Sequence, residues 1–205
     1  MSMSVEALSI LLCAAKLAFA HGDVWTQAQC RERAEQVLTA AQAHDVSPLA
    51  MISIDAQECD WRDGITRPIY APADINKPRA KRRIIGHDLC PMGLRIYEPI
   101  IDRAKWTNAV IFDRAATKMA RLKRWCDHAH DGHFYLGHWN PGNPTYAESI
   151  LGILFALQGK ASPTTDPRTK EIVMRLGCVW RKVHGQKERA GTTCPWRMME
   201  RLAAQ

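Results

Sequence analysis

The 205-residue chain contains no CxxC pair, so neither a zinc ribbon nor a thioredoxin-type redox centre is indicated. Past its first twenty residues no stretch approaches the roughly eighteen apolar residues that cross a bilayer, and no stable membrane span is expected. Internal repeats and low-complexity segments are lacking too, which removes solenoids and compositionally biased tracts. With 46% apolar and 24% charged residues the composition is globular, excludes a largely disordered or fibrous protein, and suits one domain or slightly more.

What is present is basic charge and cysteine. Lys and Arg number 28 against 21 Asp and Glu, a net charge of +7 that favours an anionic partner (nucleic acid, acidic lipid or acidic polymer) without choosing among them. Cysteines stand at Cys13, Cys30, Cys59, Cys90, Cys126, Cys178 and Cys194. Residues 1–20 hold an apolar run that ends Ala18-Phe19-Ala20 before His21-Gly22-Asp23, which fits a secretory signal peptide cut after Ala20. No Lys or Arg precedes the run and Lys16 interrupts it, as in a mature N-terminal helix. Cleavage takes Cys13 away and leaves six cysteines, an even number suggesting up to three disulfides in a secreted or periplasmic protein.

Along the chain, helices alternate with punctuated loops. Arg31 to Ala43 places Ala34, Val37, Leu38 and Ala41 at helical spacing. Ser47-Pro48 supplies an N-cap and a first-turn proline for a helix over Leu49 to Glu58. Trp61 to Leu89 is broken by Gly64, Pro68, Pro72 and Pro78 and reads as a loop or a small irregular or β element. Asn108 to Cys126 carries an apolar stripe at 109, 112, 116, 119, 122 and 126. Asn143-Pro144 caps a further helix that turns Tyr146, Ile150, Ile153, Leu154 and Leu157 inward, and Glu171 to Val183 and Pro195 to Ala203 read as two short helices. Cys178 and Cys194 would close that helical pair.

Glu58 ends the Ser47-capped helix with Met51 and Ile54 seven and four residues before it, on its own stripe. A carboxyl in apolar surroundings has a raised pKa, as a general acid near neutrality needs; a helix-end glutamate is otherwise ordinarily solvated. Two later segments, Pro91-Met92-Gly93-Leu94-Arg95-Ile96-Tyr97-Glu98-Pro99 and Trp139-Asn140-Pro141-Gly142-Asn143-Pro144-Thr145-Tyr146, complete a pattern. In that order and spacing the chain resembles the soluble lytic transglycosylases of the lysozyme-like superfamily, over roughly Arg31 to Leu157. There a helix ends in Glu-Ser, a Gly-Leu-Met-Gln turn has proline six residues after its glycine, and a Tyr-Asn-x-Gly turn follows an Asn-containing helix. Here Gly93, Leu94 and Pro99 keep the turn spacing and Trp139-Asn140-Pro141-Gly142 stands for the last element.

The resemblance implies an α+β, predominantly α-helical, lysozyme-like (goose-type lysozyme/transglycosylase) domain over 21–160, with a C-terminal helical extension over 161–205. It implies an enzyme that needs no cofactor or metal and cleaves peptidoglycan glycan strands between N-acetylmuramic acid and N-acetylglucosamine. Glu58 is the implied acid and base; Gly93, Leu94, Tyr97, Trp139, Asn140 and Tyr146 are the implied substrate-binding residues. Arg95 and Ile96 replace the turn's Met and Gln, Trp139 replaces Tyr, and Cys59 replaces the serine after the glutamate, where a disulfide to Cys90 is expected. Asp60 and Asp63 keep open a hydrolytic muramidase mechanism with a second acid, their bland alternative being solvated turn aspartates. A non-catalytic wall-binding or secretion-apparatus protein, with a cell-envelope partner, is the reading from another class.

Two other constellations have plain readings. Cys126-Asp127-His128-Ala129-His130, His133 and His138 lack the second spaced cluster of structural zinc sites and read as a polar interhelical loop. Lys77 to Arg83 holds five basic residues in seven, with no interleaved aromatic for stacking on bases. No nucleic acid is expected, and contact with anionic wall polymer is.

Overall fold

Helix boundaries follow from local capping chemistry, seen in a computed structural model that describes residues 3–19, 25–64, 66–129, 135–143 and 145–158, with 167, 169, 170, 172–174 and 176 beyond them. The helices are α1 (Val5–Phe19), α2 (Gln27–Ala43), α3 (Pro48–Cys59), α4 (Asn108–Ala129) and α5 (Tyr146–Leu157). α2 begins four residues earlier than periodicity alone indicated, because Thr26 and Gln29 form a capping box: Gln29 N–H donates to Thr26 Oγ1 at 3.3 Å and Thr26 N–H to Gln29 Oε1 at 2.8 Å. Ser47 caps α3 as expected, accepting from Ala50 N–H at 3.3 Å, with Pro48 in the first turn. α3 stops at Asp60, whose φ of 49° is left-handed.

Three antiparallel strands in the order β1 (Thr66–Tyr70), β2 (Ile84–Leu89) and β3 (Leu94–Ile96) form a small sheet; β1 and β2 lie inside the segment expected to be irregular or β, and β3 in the glycine-turn segment after it. The register aligns Arg67 with Asp88 and Asp88 with Arg95. The chain is thus mostly helical with one small sheet, an α+β arrangement.

The core gathers Val37, Met51, Ile54, Phe112, Met119, Ile150 and Ile153, all essentially without solvent contact. On α4 the buried stripe is 111, 112, 115, 116, 119 and 126, so Ala109, expected inside, is exposed and Leu122 only half-buried. Leu154 of α5 is half-buried as well, while Ser149 and Ala156 take inward positions. Thr145, not Asn143, is the N-cap of α5; Asn143 lies two residues upstream, its Oδ1 accepting from Thr145 N–H at 3.1 Å.

α1 belongs to this core. Leu8, Leu12 and Ala15 are buried, and Lys16 Nζ donates to the Trp61 carbonyl at 2.9 Å. The sequence reading sent Cys13 away with a leader; in the folded chain it is disulfide-bonded to Cys30 of α2. The second disulfide, Cys59–Cys90, is the one expected beside Glu58. Two disulfides fit a protein of an oxidising, extracellular compartment. Among the described residues no helix is long and apolar enough to cross a membrane. Of the expected C-terminal extension, Ile172 and Leu176 are buried in the same core and Thr169 Oγ1 donates to Ser149 Oγ at 2.9 Å. Cys178, Cys194 and the helix expected at 195–203 lie outside the described residues.

Candidate functional site

Glu58 reaches the surface from the last turn of α3, which is otherwise buried through Ala50–Ala56. Its carboxyl is half-buried, and desolvation raises its pKa; the facing Tyr146 hydroxyl is the largest opposing influence. The geometry between Tyr146 and Glu58 falls short of an ordinary hydrogen bond, and the hydroxyl, on a residue 1% exposed, has no other partner among the described residues. Burial and the Glu58 charge together raise the Tyr146 phenol, which stays protonated and able to donate. Its placement comes from the turn before α5, where Asn143 N–H donates to the Asn140 carbonyl at 3.0 Å and Tyr146 N–H to the Asn143 carbonyl at 3.1 Å.

Gly93 lies directly against the acid. Its φ is +57°, and a Cβ there would stand 2.9 Å from Glu58 Cβ and 3.0 Å from both Cγ and Oε2. Only glycine allows this backbone to approach the carboxyl so closely. The Cys59–Cys90 bridge ties the base of the turn to the residue after Glu58, so helix end and turn are held from both sides.

Near Glu58 the sheet offers a charged row. Directly opposed residues share one face of a sheet, so Arg67, Asp88 and Arg95 project together. Arg95 Nε donates to Asp88 Oδ1 at 2.9 Å. Asp88 pushes the Glu58 pKa up, while Arg67 and Lys118 pull it down. Lys118 of α4 lies 3.9 Å from the centroid of the Trp139 ring and donates to the Trp139 carbonyl at 3.4 Å. Desolvation lowers its pKa, with the Glu58 charge opposing that shift.

Of the expected residues, Glu58, Gly93 and Tyr146 are brought together. Trp139 joins them through Lys118 but is 6% exposed, so most of its ring is packing surface. Leu94, 7% exposed, is a core side chain opposite Leu89. Tyr97 is 69% exposed and near enough to Arg95 to help hold the guanidinium charged. Asn140 is exposed on its turn. The two aspartates offered as second acids are engaged elsewhere: Asp60 Oδ2 accepts from Arg62 at 2.9 Å, and Asp63 pairs with the buried Arg33. Asp88, Arg67 and Lys118 escaped the sequence reading, and Arg95 entered it only as a departure from the turn motif. The one signal was the alternation of charge in short strands, and register is not visible before the strands pair. Among the described residues no three His, Cys, Asp or Glu side chains are grouped to hold a metal ion; His130 and His133 lie outside them.

No protein-family model, no curated protein and no solved structure matches this chain.

Proposed function

We propose that the chain is a peptidoglycan lytic transglycosylase in which Glu58 is the acid and then the base. The observation that carries the proposal is the desolvated Glu58 carboxyl at the end of an apolar helix, wedged against Gly93 and faced by the Tyr146 hydroxyl. A carboxyl whose pKa burial raises is better suited to proton delivery to the glycosidic oxygen than a solvated one. The leaving N-acetylglucosamine departs and an oxocarbenium-like centre forms on the muramoyl sugar. Glu58, now ionised, takes the proton of the sugar's own 6-hydroxyl as that oxygen closes on the anomeric carbon. The high effective concentration of an intramolecular nucleophile removes the need for a second protein carboxylate. The product ends in 1,6-anhydromuramic acid. The +7 charge suits an anionic wall polymer, and the disulfides suit a secreted or periplasmic setting.

Asp88 favours a second reading, a hydrolytic muramidase. It is a carboxylate paired with Arg95 whose charge acts on Glu58, and such a group positions water in glycosidases with two acids. One experiment separates the readings. Purified cell wall is digested with the parent protein and with Glu58→Gln, and the soluble products are weighed by mass spectrometry. Anhydro ends, one water lighter than reducing ends, support the transglycosylase and reducing ends the muramidase. Wall sedimentation without release, or an active Glu58→Gln, removes both.

A further inference from the structure

Asp55, one helical turn before Glu58, is 1% exposed and takes no part in the chemistry described above. Its Oδ1 accepts the Met92 backbone N–H at 3.1 Å across 37 residues of sequence. Met92 has φ of +73° and is fully buried, and Gly93, next in the chain, carries the contact with Glu58. A bulky residue in the left-handed region persists only where its surroundings over-determine it. Here the determinants are the buried Met92 side chain, the Cys59–Cys90 bridge and the Asp55 acceptor.

We propose that Asp55 is a positioning residue: by accepting the Met92 N–H it holds the Met92–Gly93 turn against the Glu58 carboxyl, and so keeps the acid in one place. The inference rests on the reading of Glu58 as the acid. Asp55 cannot touch substrate, since it lies beneath the turn; it acts through Met92 and Gly93. The groups facing it come from three helices. Arg33 of α2 and Lys16 of α1 offset its charge, and Asp60, the cap of α3, opposes it. Arg33 in turn pairs with Asp63 and is stacked between Trp25 and Phe112, 4.9 and 5.0 Å from the ring centroids. α1 and α2 thereby set the footing of the turn.

Removal of Asp55 alone takes away a charge that offsets the buried Arg33 and endangers folding, so the test uses an Arg33→Met background, in which that buried cation is gone. Arg33→Met/Asp55→Asn retains an acceptor for Met92; Arg33→Met/Asp55→Leu does not. Folding is checked by circular dichroism and activity measured on soluble glycan oligomers, with Met92 amide exchange followed by NMR. The expected result is slow Met92 exchange and kcat within a few fold of Arg33→Met for the Asn variant. For the Leu variant, exchange is fast and kcat falls on the order of 10²-fold with KM little changed, the loss that accompanies a misplacement near 1 Å. Slow Met92 exchange in a folded Leu variant, or equal kcat in the two, overturns the proposal. A parent protein that releases no product while Met92 exchange still follows the acceptor overturns the Glu58 reading and leaves the positioning contact standing.

Discussion

Gly93→Ala and Gly64→Ala form a matched pair that isolates one contact. Both glycines are left-handed, with φ of +57° and +68°, so alanine at either costs about 1–2 kcal/mol of backbone strain. Around Gly64 a Cβ meets nothing within 4 Å, and strain is the whole effect. At Gly93 it meets Glu58 Cβ at 2.9 Å, well inside the roughly 3.5–4.0 Å of ordinary carbon contact. Rotating the carboxyl relieves the clash at Cγ and Oε2 but not at Cβ, which is fixed to the α3 backbone; helix end or turn must yield. Overpacking of this kind adds about 1–3 kcal/mol, a total near 2–5 kcal/mol. At about 2–4 °C per kcal/mol for a chain of this size, Gly64→Ala melts some 2–8 °C below the parent, and Gly93→Ala lower still. Activity separates them further. Gly64→Ala clears cell wall like the parent, whereas Gly93→Ala, with Glu58 displaced, loses on the order of 10²-fold. Scanning calorimetry and a turbidity assay read both. Equal melting losses with equal clearing rates would refute the placement of Gly93 against the acid.

Four further outcomes are expected. Lys118→Met removes a cation that pulls the Glu58 pKa down, so the fall in activity as pH rises through that pKa moves to higher pH; an unmoved pH–rate profile counts against the pairing. Burial raises Asp55 from 3.8 to about 6, so its stabilisation is full below pH 4 and is lost as pH rises through about 6. The difference is about 3 kcal/mol between the limits, readable in urea midpoints as a pH slope present in Arg33→Met and missing in Arg33→Met/Asp55→Asn. Leu12→Ala, at a site 1% exposed, destabilises by about 2–5 kcal/mol in urea titration, and removal of residues 1–20 does more because it also takes Leu8, Ala15 and the Cys13–Cys30 bridge. Replacing Cys59 and Cys90 together with serine costs about 4 kcal/mol for a bridge closing 31 residues, seen as an earlier unfolding midpoint.

The elements read correctly from sequence are those whose cause is local. Ser47-Pro48 and the apolar positions after it define α3 and bring Glu58 to its end, because capping and helical periodicity act within four or five residues. The stripe on α5 turned Tyr146 inward for the same reason. Cys59 and Cys90 were paired through their neighbourhood to two motifs, and the bridge is there. Errors came where burial depends on what packs opposite: Ala109 fits the α4 stripe yet is exposed, while Ile111 and Ala115 are buried.

The chain alone therefore determined the course of α3, α4 and α5, the Ser47 cap and the candidate acid. Only the tertiary structure decided what surrounds that acid. The opposed row Arg67–Asp88–Arg95 needs a strand register, and Lys118 needs α4 to cross near Trp139. The Asp55–Met92 contact spans 37 residues, and α1 joins the core through Lys16 and Cys13. Each depends on residues brought together by packing of distant segments, and no periodicity over a few positions encodes where a distant segment will pack.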